Sequence, residues 1–344
     1  MTALASQHLL FTKWAQQPDS WKNRLLGAIC FSAAPLAEGA AVSLDAPTIR
    51  VPMAVLGETD ASDAACEVWL GGAAAHLAQH KAIRYRHNGS ALFGVIQLDE
   101  STPDDTQSSP LQHTTERAYR QIFELLDALG YPFVFRFWNY MADINGHSHG
   151  LERYRQFNLG RQQAFISSAR DVAGNVPAAC ALGASNGPLT IAFLAGQTPP
   201  QPIENPRQLS AYDYPQDYGP RSPTFSRASL VRVGTDELLF VSGTASIVGH
   251  STMHPSDVQA QTHETLANIE AIIQAANAQA RQPLFTLGTL FYRVYVRHGA
   301  DLAAIQAVMQ THIKVPFQAI FLQADVCRPD LLIEIEASAS LPAA

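Results

Sequence analysis

The sequence of 344 residues contains 47% apolar and 15% charged residues, which excludes a disordered chain and a polar repeat. Its net charge of −7 lacks the basic excess of nucleic-acid binders, so no nucleic-acid partner is expected. No apolar run approaches the ~20 residues of a membrane helix, and residues 1–14 lack the basic start and long apolar core of an export signal. We expect a cytoplasmic globular protein without membrane contact, and the length favours two parts over one.

The cysteines predict reduced thiols. Cys30, Cys66, Cys180 and Cys327 are far apart in sequence and include no C-x-x-C pair, which favours neither a disulfide framework nor a zinc site. The twelve histidines include no H-E-x-x-H set, so a metal site is not expected either.

The first part of the chain mixes predicted strands and helices. Short runs of β-forming residues bounded by turn residues predict strands, and apolar residues at helical spacing predict helices. Gly130 ends the first of these helices. The predicted elements, with a polar loop at 99–109, are strands at 48–55, 67–70, 92–97 and 133–140 and helices at 114–129 and 151–169.

A segment rich in proline and tyrosine, residues 196–223, separates this part from the next. Its seven prolines block regular helix and central strand, which predicts a linker or an ordered wrapping segment. We predict an α/β (α+β) protein with a mixed-sheet N-terminal domain at 1–205 and a compact domain at 206–344. The predicted elements of the second domain are strands at 238–242, 290–296, 317–326 and 331–337 and helices at 255–280 and 301–312.

Two carboxylates share one face of the last predicted strand, LLIEIEA. Alternation places Leu331, Ile333 and Ile335 on one face. Glu334 and Glu336 then lie on the other face, ~7 Å apart along the strand. If that face is partly buried, desolvation and mutual repulsion raise the pKa of one carboxyl, which a general acid needs. The alternative, which spacing alone favours, is a solvated edge face.

Cys327 directly precedes Arg328 in a predicted turn. A thiol beside a guanidinium can be held as a thiolate, which would make it a nucleophile or a base. The alternative is a small buried apolar side chain, as most cysteines at strand ends are.

Six arginines flank the Pro/Tyr segment. Arginine binds carboxylates through two parallel hydrogen bonds, and a neighbouring phenol adds a directional donor, so a dianionic substrate would suit them. The alternative, surface ion pairing, is expected for at least half of the six. They are Arg153, Arg155, Arg161, Arg207, Arg221 and Arg227.

The segment from Gly243 to Ser246 follows a predicted strand and, with Gly249, suggests a phosphate or carboxylate loop. It matches neither G-x-G-x-x-G nor a Walker motif, so nucleotide binding is not expected. The alternative is a tight turn in which two backbone segments approach closely.

Several segments of the last third resemble the reactive-intermediate deaminase fold. In order, they are FVSGTAS, QAQTHETLANIEAII, YRVYVRH and DLLIEIEA. The resemblance implies a YjgF/RidA-like C-terminal domain. Ala319 stands where those deaminases carry the arginine that holds the substrate carboxylate, so the resemblance does not extend to imine deamination.

A longer set of segments resembles the chorismatase family and spans about two thirds of the chain. It comprises FRFWNYMADIN (135–145), RYRQFNLGR (153–161), IENPRQLSAYDYPQDYGPRSPTFSRA (203–228), VSGTASIVGH (241–250) and ADVCRPDLLIEIE (324–336). The resemblance implies an enzyme that needs no cofactor and takes chorismate, a compound with two carboxylates. The oligomeric state stays open, and a monomer is compatible with the sequence.

Within that family, Glu334 resembles the catalytic acid that protonates the enolpyruvyl group and releases pyruvate. Hydroxybenzoate-forming members carry the glycine and the cysteine that are Gly243 and Cys327 here, whereas hydrolytic members have alanine and lack the cysteine. The resemblance implies a lyase that converts chorismate to 3-hydroxybenzoate and pyruvate, with Cys327 assisting aromatisation. Whether 4-hydroxybenzoate is a second product stays open.

Two other functions stay open as alternatives. One is a chorismatase that hydrolyses chorismate to a dihydroxycyclohexadiene carboxylate and pyruvate, and the other is a non-catalytic module that binds a small carboxylate. For the leading function, the arginines are expected to hold the substrate carboxylates and the tyrosines to donate around them. The predicted substrate-binding residues are Tyr154, Arg161, Tyr212, Tyr218, Arg221, Gly243 and Thr244.

Overall fold

The computed structural model describes residues 4–34, 46–57, 64–101 and 108–341. Its helices are α1 (Asp19–Arg24), α2 (Pro110–Leu129), α3 (Arg153–Ser167), α4 (Val258–Asn277) and α5 (Leu302–Ile313). Part of the predicted loop at 99–109 lies outside the described residues. In the part of the chain that the structure describes, no helix is both long and apolar enough to cross a membrane.

The strands run through the whole described chain. Those of the first half are β1 (Leu4–Leu10), β2 (Leu25–Phe31), β3 (Thr48–Val51), β4 (Ala54–Leu56), β5 (Ala65–Gly71), β6 (His76–His80), β7 (Ile83–His87), β8 (Ala91–Leu98), β9 (Phe133–Ala142), β10 (His147–Ser148) and β11 (Leu151–Glu152). Those of the second half are β12 (Ala178–Ala184), β13 (Leu189–Gly196), β14 (Gln201–Ile203), β15 (Ala228–Val233), β16 (Asp236–Ala245), β17 (Ile247–Val248), β18 (Ser251–Thr252), β19 (Phe291–Val296), β20 (Gln318–Gln323) and β21 (Ile333–Leu341).

Three larger sheets organise these strands. A six-stranded sheet has the order β12-β9-β13-β8-β7-β6, and a seven-stranded sheet has the order β14-β15-β16-β21-β19-β20-β4. A four-stranded sheet has the order β1-β5-β2-β3. Parallel and antiparallel pairs occur together, since β12 runs parallel to β9 whereas β13 runs antiparallel to it. The predicted α/β (α+β) class with a mixed N-terminal sheet is confirmed.

Helices cover one face of each large sheet. Apolar residues of α2 and α3 pack with one face of the six-stranded sheet, and those of α4 and α5 pack with one face of the seven-stranded sheet. The opposite faces of both sheets meet in a central core, together with the four-stranded sheet. The two large sheets therefore face one another, and side chains that point inward from β9, β12 and β21 lie close together.

Local signals explain where the main helices begin and end. The Ser109 hydroxyl accepts a hydrogen bond from the Gln112 backbone N–H at the start of α2, and Gly130 ends it in the left-handed conformation at φ 74°. Asp257 caps α4 in the same way. The predicted strand at 48–55 is wrong in one respect: it is divided into β3 and β4, and β4 pairs with β20 at the edge of the seven-stranded sheet.

The prediction of reduced thiols is wrong for two of the four cysteines. Cys30 and Cys66 lie opposite one another on the antiparallel strands β2 and β5, and they form a disulfide with a Cα–Cα distance of 4.1 Å. Cys180 and Cys327 carry free thiols. Sequence spacing did not reveal the pair because the register of two strands brings together residues that are distant in sequence.

Candidate active site

The two glutamates of the last strand are buried. β21 lies between β16 and β19 within the seven-stranded sheet, and Ile333 and Ile335 pack toward α4 and α5 as predicted. Glu334 and Glu336 point into the core between the two large sheets, where they are 4% and 2% exposed. The alternative of a solvated edge face is wrong, because β21 has hydrogen-bonded neighbours on both sides.

Glu336 is held by two cations. It forms ion pairs with Arg136 of β9 and, at 2.6 Å, with Arg293 Nη1 of β19, and it accepts a hydrogen bond from the Tyr295 hydroxyl at 2.9 Å. Burial alone would raise the pKa of Glu336, but the Arg293 and Arg136 guanidinium groups outweigh it and hold the pKa below its usual range. Glu336 is therefore ionised at neutral pH.

Glu334 has no such partner. No Lys, Arg or His nitrogen of the described chain lies within ion-pair distance of its carboxyl, and the Cys327 thiol donates to Oε2 across 3.9 Å. Burial, with the negative charge of Glu336 as the next cause, raises the pKa of Glu334 to about 8. The predicted upward shift of one pKa is confirmed, and Glu334 is mostly protonated at neutral pH.

Cys327 is a neutral thiol. Burial and the nearby Glu334 raise its pKa to about 12, more than Arg328 lowers it. The Arg328 guanidinium lies 4.1 Å from the centre of the Tyr218 ring and donates to the His250 carbonyl at 2.9 Å. The interpretation of Cys327 as an arginine-stabilised thiolate is therefore wrong.

Gly243 allows the Glu334 carboxyl to approach the backbone of β16. The pairing of β16 with β21 shifts in register between Val241 and Thr244, so Gly243 lies in a bulge. A Cβ at Gly243 would overlap Oε1 of Glu334 and lie 2.8 Å from its Cδ. The position therefore needs glycine for as long as the Glu334 carboxyl occupies this place.

Gly243, Cys327 and Glu334 line a cavity of about 610 Å³, which is a suitable size for a small-molecule ligand. Its walls come from α3, the Pro/Tyr segment, the end of β16 and residues 327–334. A smaller enclosed pocket adjoins it, which we call the inner pocket; it shares Glu334 and Cys327 with the cavity and adds Arg161 and Cys180. The protonated carboxyl of Glu334 thus faces the space where a ligand would lie.

Arg161 brings a buried positive charge to the inner pocket. Its Nη2 donates to Asn158 Oδ1 at 2.9 Å, and its guanidinium lies 5.1 Å from the Phe157 ring centre. Its Nε is buried and has no hydrogen-bond partner among the described residues, and no described carboxylate lies within ion-pair distance. A buried guanidinium in this state suits an anionic ligand.

Two more guanidinium groups line the cavity, and no carboxylate among the residues described lies within ion-pair distance of either. Arg227 donates to the Leu209 carbonyl at 2.6 Å and to the Tyr214 hydroxyl at 2.9 Å. Arg328 has a buried Nη2 without a hydrogen-bond partner in the described structure. Together with Arg161, they make this acidic protein locally cationic at the cavity.

Three of the other four arginines of the flanking set form ion pairs with nearby carboxylates. Arg153 pairs with Glu100, Arg155 with Glu152 and Arg207 with Glu264, which accounts for three of the six. The alternative reading is therefore correct for that half of the set.

The structure brings most, but not all, predicted site residues together. Three of them do not line the cavity or the inner pocket: Arg221 is exposed, Tyr212 is half-buried outside both, and Thr244 is cross-strand neighbour to Ile335 and so lies on the helix-covered face. The predicted residues that do line the cavity or the inner pocket are Tyr154, Arg161, Tyr218, Gly243, Cys327 and Glu334.

Among the lining residues that the sequence did not predict, four carry polar groups or thiols that face the candidate site. Arg227 belonged to the arginine set and Tyr214 to the Pro/Tyr segment, but nothing in the spacing separated them from their neighbours. Arg328 was noticed only as a neighbour of Cys327. Cys180 lies within β12 among small residues and carries no motif that could have identified it.

Two family models match the chain. "Chorismatase FkbO/Hyg5-like, N-terminal" matches residues 67–195, and "Endoribonuclease L-PSP" matches residues 223–341. The second match confirms the predicted YjgF/RidA-like C-terminal domain. The exact division at 205/206 falls between the two matches and stays a prediction.

Relatives match over most of the chain. A 3-hydroxybenzoate synthase of Streptomyces hygroscopicus is 37% identical over 78% of this chain and 80% of its own length. A chorismatase of Streptomyces rapamycinicus is 36% identical over 82% of this chain and 84% of its own. A chorismatase crystal structure superposes with a TM-score of 0.84 at 31% identity and covers 98% of both chains. The chain belongs to the chorismatase family.

Proposed function

We propose that this protein is a lyase that converts chorismate to 3-hydroxybenzoate and pyruvate. The relatives support this reaction by their names, which are 3-hydroxybenzoate synthase and chorismatase. The presence of both Gly243 and Cys327 supports the aromatic product, following the pattern of the hydroxybenzoate-forming branch. A non-catalytic binding module is less well supported, since a named relative is an enzyme.

One observation carries the proposal: a buried, protonated carboxylic acid, Glu334, faces the cavity and the inner pocket, which together are lined by three guanidinium groups that form no ion pair in the described chain. Chorismate needs these two features. Its two carboxylates require cations, and its enolpyruvyl ether requires a proton donor before the C–O bond can break. Arg161 in the inner pocket and Arg227 and Arg328 in the cavity are the candidate carboxylate partners.

The reaction begins when the Glu334 carboxyl donates its proton to the methylene carbon of the enolpyruvyl group. The cationic ether that results loses pyruvate as the C–O bond to the ring breaks. Chorismate and the two products contain the same atoms, so no water is consumed. For 3-hydroxybenzoate, the ring hydroxyl oxygen must move to the neighbouring carbon that lost the ether oxygen, and the ring must release one proton as it becomes aromatic. The first step leaves Glu334 and Cys327 together one proton short, and the proton that the ring releases restores this pair.

The protonated state of Cys327 sets the order of events. A neutral thiol is a poor nucleophile, and the Glu334 carboxyl 3.9 Å away cannot accept the thiol proton while it is itself protonated. Once Glu334 has given its proton away, it can accept the proton of Cys327. The thiol therefore becomes available to assist the rearrangement only after the enolpyruvyl group has been protonated.

Hydrolysis is the second candidate, and the name chorismatase, which two relatives carry without reference to an aromatic product, favours it. In that reaction a water molecule is consumed and the ring product is a dihydroxycyclohexadiene carboxylate. The same acid, Glu334, would start both reactions.

A product balance on the purified enzyme tests the proposal. Chorismate is supplied, pyruvate is measured enzymatically, and the ring products are separated by chromatography against 3- and 4-hydroxybenzoate standards. We expect 3-hydroxybenzoate and pyruvate in equal amounts. Pyruvate without an aromatic acid would establish hydrolysis instead, and chorismate binding without pyruvate would establish a binding module.

The cytoplasmic location is part of the same proposal. The Cys30–Cys66 disulfide weighs against it, because disulfides are uncommon in the reducing cytosol. Fractionation of producing cells, with alkylation of free thiols before lysis, tests the location and the pairing together.

A further inference from the structure

The loop that carries Cys327 has little regular structure of its own. It spans residues 324–332 between β20 and β21, and we call it the Cys327 loop. Because its backbone groups have few partners within the loop, contacts from other elements must fix the position of the thiol. The loop also contributes Arg328 to the cavity wall.

One side chain, Arg297 at the end of β19, contacts this loop on both sides of Cys327. Its side chain is 11% exposed and does not line the cavity. Its Nε donates to one loop carbonyl, its Nη2 to two more, and its Nη1 to two side-chain oxygens. The acceptors are the Leu331 carbonyl (2.7 Å), the Val326 and Arg328 carbonyls (3.0 and 2.9 Å), Asp325 Oδ1 (2.6 Å) and Asn145 Oδ1 (3.3 Å).

Two other side chains, Asn145 and Gln261, bond to the backbone of the loop, each on one side of Cys327. Asn145 donates to the Val326 carbonyl at 3.1 Å, before Cys327. Gln261 donates to the Asp330 carbonyl at 2.9 Å and accepts from the Leu332 N–H at 2.8 Å, after Cys327. Only the planar fork of Arg297 joins carbonyls on both sides among these three. A lysine has the same charge but a single nitrogen, which cannot reach all of these acceptors.

We propose that Arg297 is a positioning residue that fixes Cys327 relative to Glu334 and thereby directs the reaction toward the aromatic product. The inference rests on the proposed function. Arg297 lines neither the cavity nor the inner pocket, so it acts on product choice through the loop. Its positive charge also lowers the pKa of Glu334 and of Cys327, so a test of the hydrogen bonds to the loop must keep that charge.

Arg297→Lys tests this, because it keeps the charge and removes the fork. The readout is the amount of 3-hydroxybenzoate formed per pyruvate, which a merely destabilised enzyme would not change. We expect this ratio to fall about fivefold, less than the ~10²-fold that a 1 Å misplacement can cost in rate. Arg232→Lys is the matched control. Arg232 lies on β15 and bonds to Glu237 and to the Gln279 carbonyl, and Glu237 pairs with the end of β21 that is opposite to the Cys327 loop. The product ratio of this variant should not change.

Two further measurements keep the proposal open to contradiction. Arg297→Lys in a Cys327→Ala background should change the ratio no further, because the arginine acts through that thiol. Peptide-level alkylation should show faster labelling of Cys327 in Arg297→Lys, with Cys180 as the internal reference. If Arg297→Lys folds poorly, Asn145→Ala releases the same loop at one end and should shift the ratio in the same direction by less.

The wild-type result separates the two proposals. If the wild-type enzyme forms no aromatic acid, the proposed function is wrong. If it forms 3-hydroxybenzoate and Arg297→Lys keeps both the wild-type ratio and the wild-type labelling rate of Cys327, the role of Arg297 is contradicted while the proposed function stands.

Discussion

Glu334 and Glu336 lie two residues apart on one strand, point to the same face and are both buried, yet at neutral pH Glu334 is protonated and Glu336 is ionised. Glu336 pairs with Arg136 and Arg293 and has a lowered pKa. Glu334 has a thiol for a neighbour instead, and its pKa is raised to about 8. Burial is common to both, so the difference comes from the two guanidinium groups that form ion pairs with Glu336 and not with Glu334.

This contrast divides the work between the two carboxylates. Glu336 joins a buried network that connects all three larger sheets, because Arg136 lies on β9 and Arg293 also pairs with Glu67 of β5. Its negative charge then helps to keep the proton on Glu334. The Glu336 carboxylate therefore connects the sheets, and the Glu334 carboxyl stays free of ion pairs and can donate its proton.

The largest expected effect comes from replacing each of the two glutamates in turn with glutamine. Glu334→Gln should lower pyruvate formation by at least the ~10²-fold that general acids contribute, because an amide has the same shape but no acidic proton. Its melting temperature at pH 7 should not fall, since Glu334 is neutral in the folded protein and ionises only in the unfolded chain. Glu336→Gln should instead lower the free energy of unfolding by about 3–5 kcal/mol, because it leaves buried guanidinium charge uncompensated. Calorimetry and a pyruvate assay on both variants check this; near-normal turnover of folded Glu334→Gln would transfer the role to Glu336.

The next effect concerns the arginines that lack a carboxylate partner within the described chain. Arg161→Ala should raise KM about 10- to 100-fold, since a charge-assisted hydrogen bond is worth ~1.5–3 kcal/mol. Arg221 was also predicted to bind the substrate, but its side chain is exposed outside the cavity, so Arg221→Ala should leave KM unchanged. Steady-state kinetics of the two variants measure the comparison. Equal KM values for both would remove Arg161 from the binding site.

A smaller effect concerns product choice. Cys327→Ala should lower 3-hydroxybenzoate more than total pyruvate, because it removes the only thiol bonded to Glu334 and leaves the acid in place. Adding Gly243→Ala should shift the remaining flux toward the hydrolytic diene. It should also slow pyruvate release, since the new Cβ overlaps the Glu334 carboxyl. The product balance described above measures all three changes, and wild-type ratios in both variants would remove these positions from product control.

The smallest effect is the shape of the pH profile. A general acid works only while protonated, so kcat/KM should fall as pH rises through about 8. The Cys327 hydrogen bond lowers the pKa of Glu334, so Cys327→Ala should move this limb to higher pH by a fraction of a unit. The folded protein also keeps a proton that the unfolded chain loses near 4.5, so stability should fall as pH rises from there to about 8. A limb that stays in place in Glu334→Gln would belong to another group.

Periodicity predicted the elements that depend on local sequence. The helices α2 and α4 and the alternation of Ile333, Glu334 and Ile335 follow from repeating apolar positions, and all are present. Whether β21 lies at an edge or inside a sheet depends on β16 and β19, which reach it from distant parts of the chain. Spacing therefore identified the two carboxylates but could not establish that both are buried.

The errors in the predicted site have the same origin. Thr244 adjoins Gly243 in sequence, yet strand alternation turns its side chain toward the helices. Arg328 adjoins Cys327, yet its guanidinium stacks on Tyr218 and does not ionise the thiol. Adjacency in sequence did not predict contact, because each side chain follows the direction that its strand or loop imposes.

The most direct test of the central claim is an infrared titration of the carboxyl groups. The carbonyl stretch of a protonated carboxylic acid is recorded as difference spectra between the wild-type enzyme and the variants Glu334→Gln and Glu336→Gln. We predict a band at pH 7 that disappears with a midpoint near pH 8, is absent from Glu334→Gln and remains in Glu336→Gln. A wild-type spectrum with no such band at pH 7, or a band that only Glu336→Gln removes, would contradict the assignment of Glu334 as the acid.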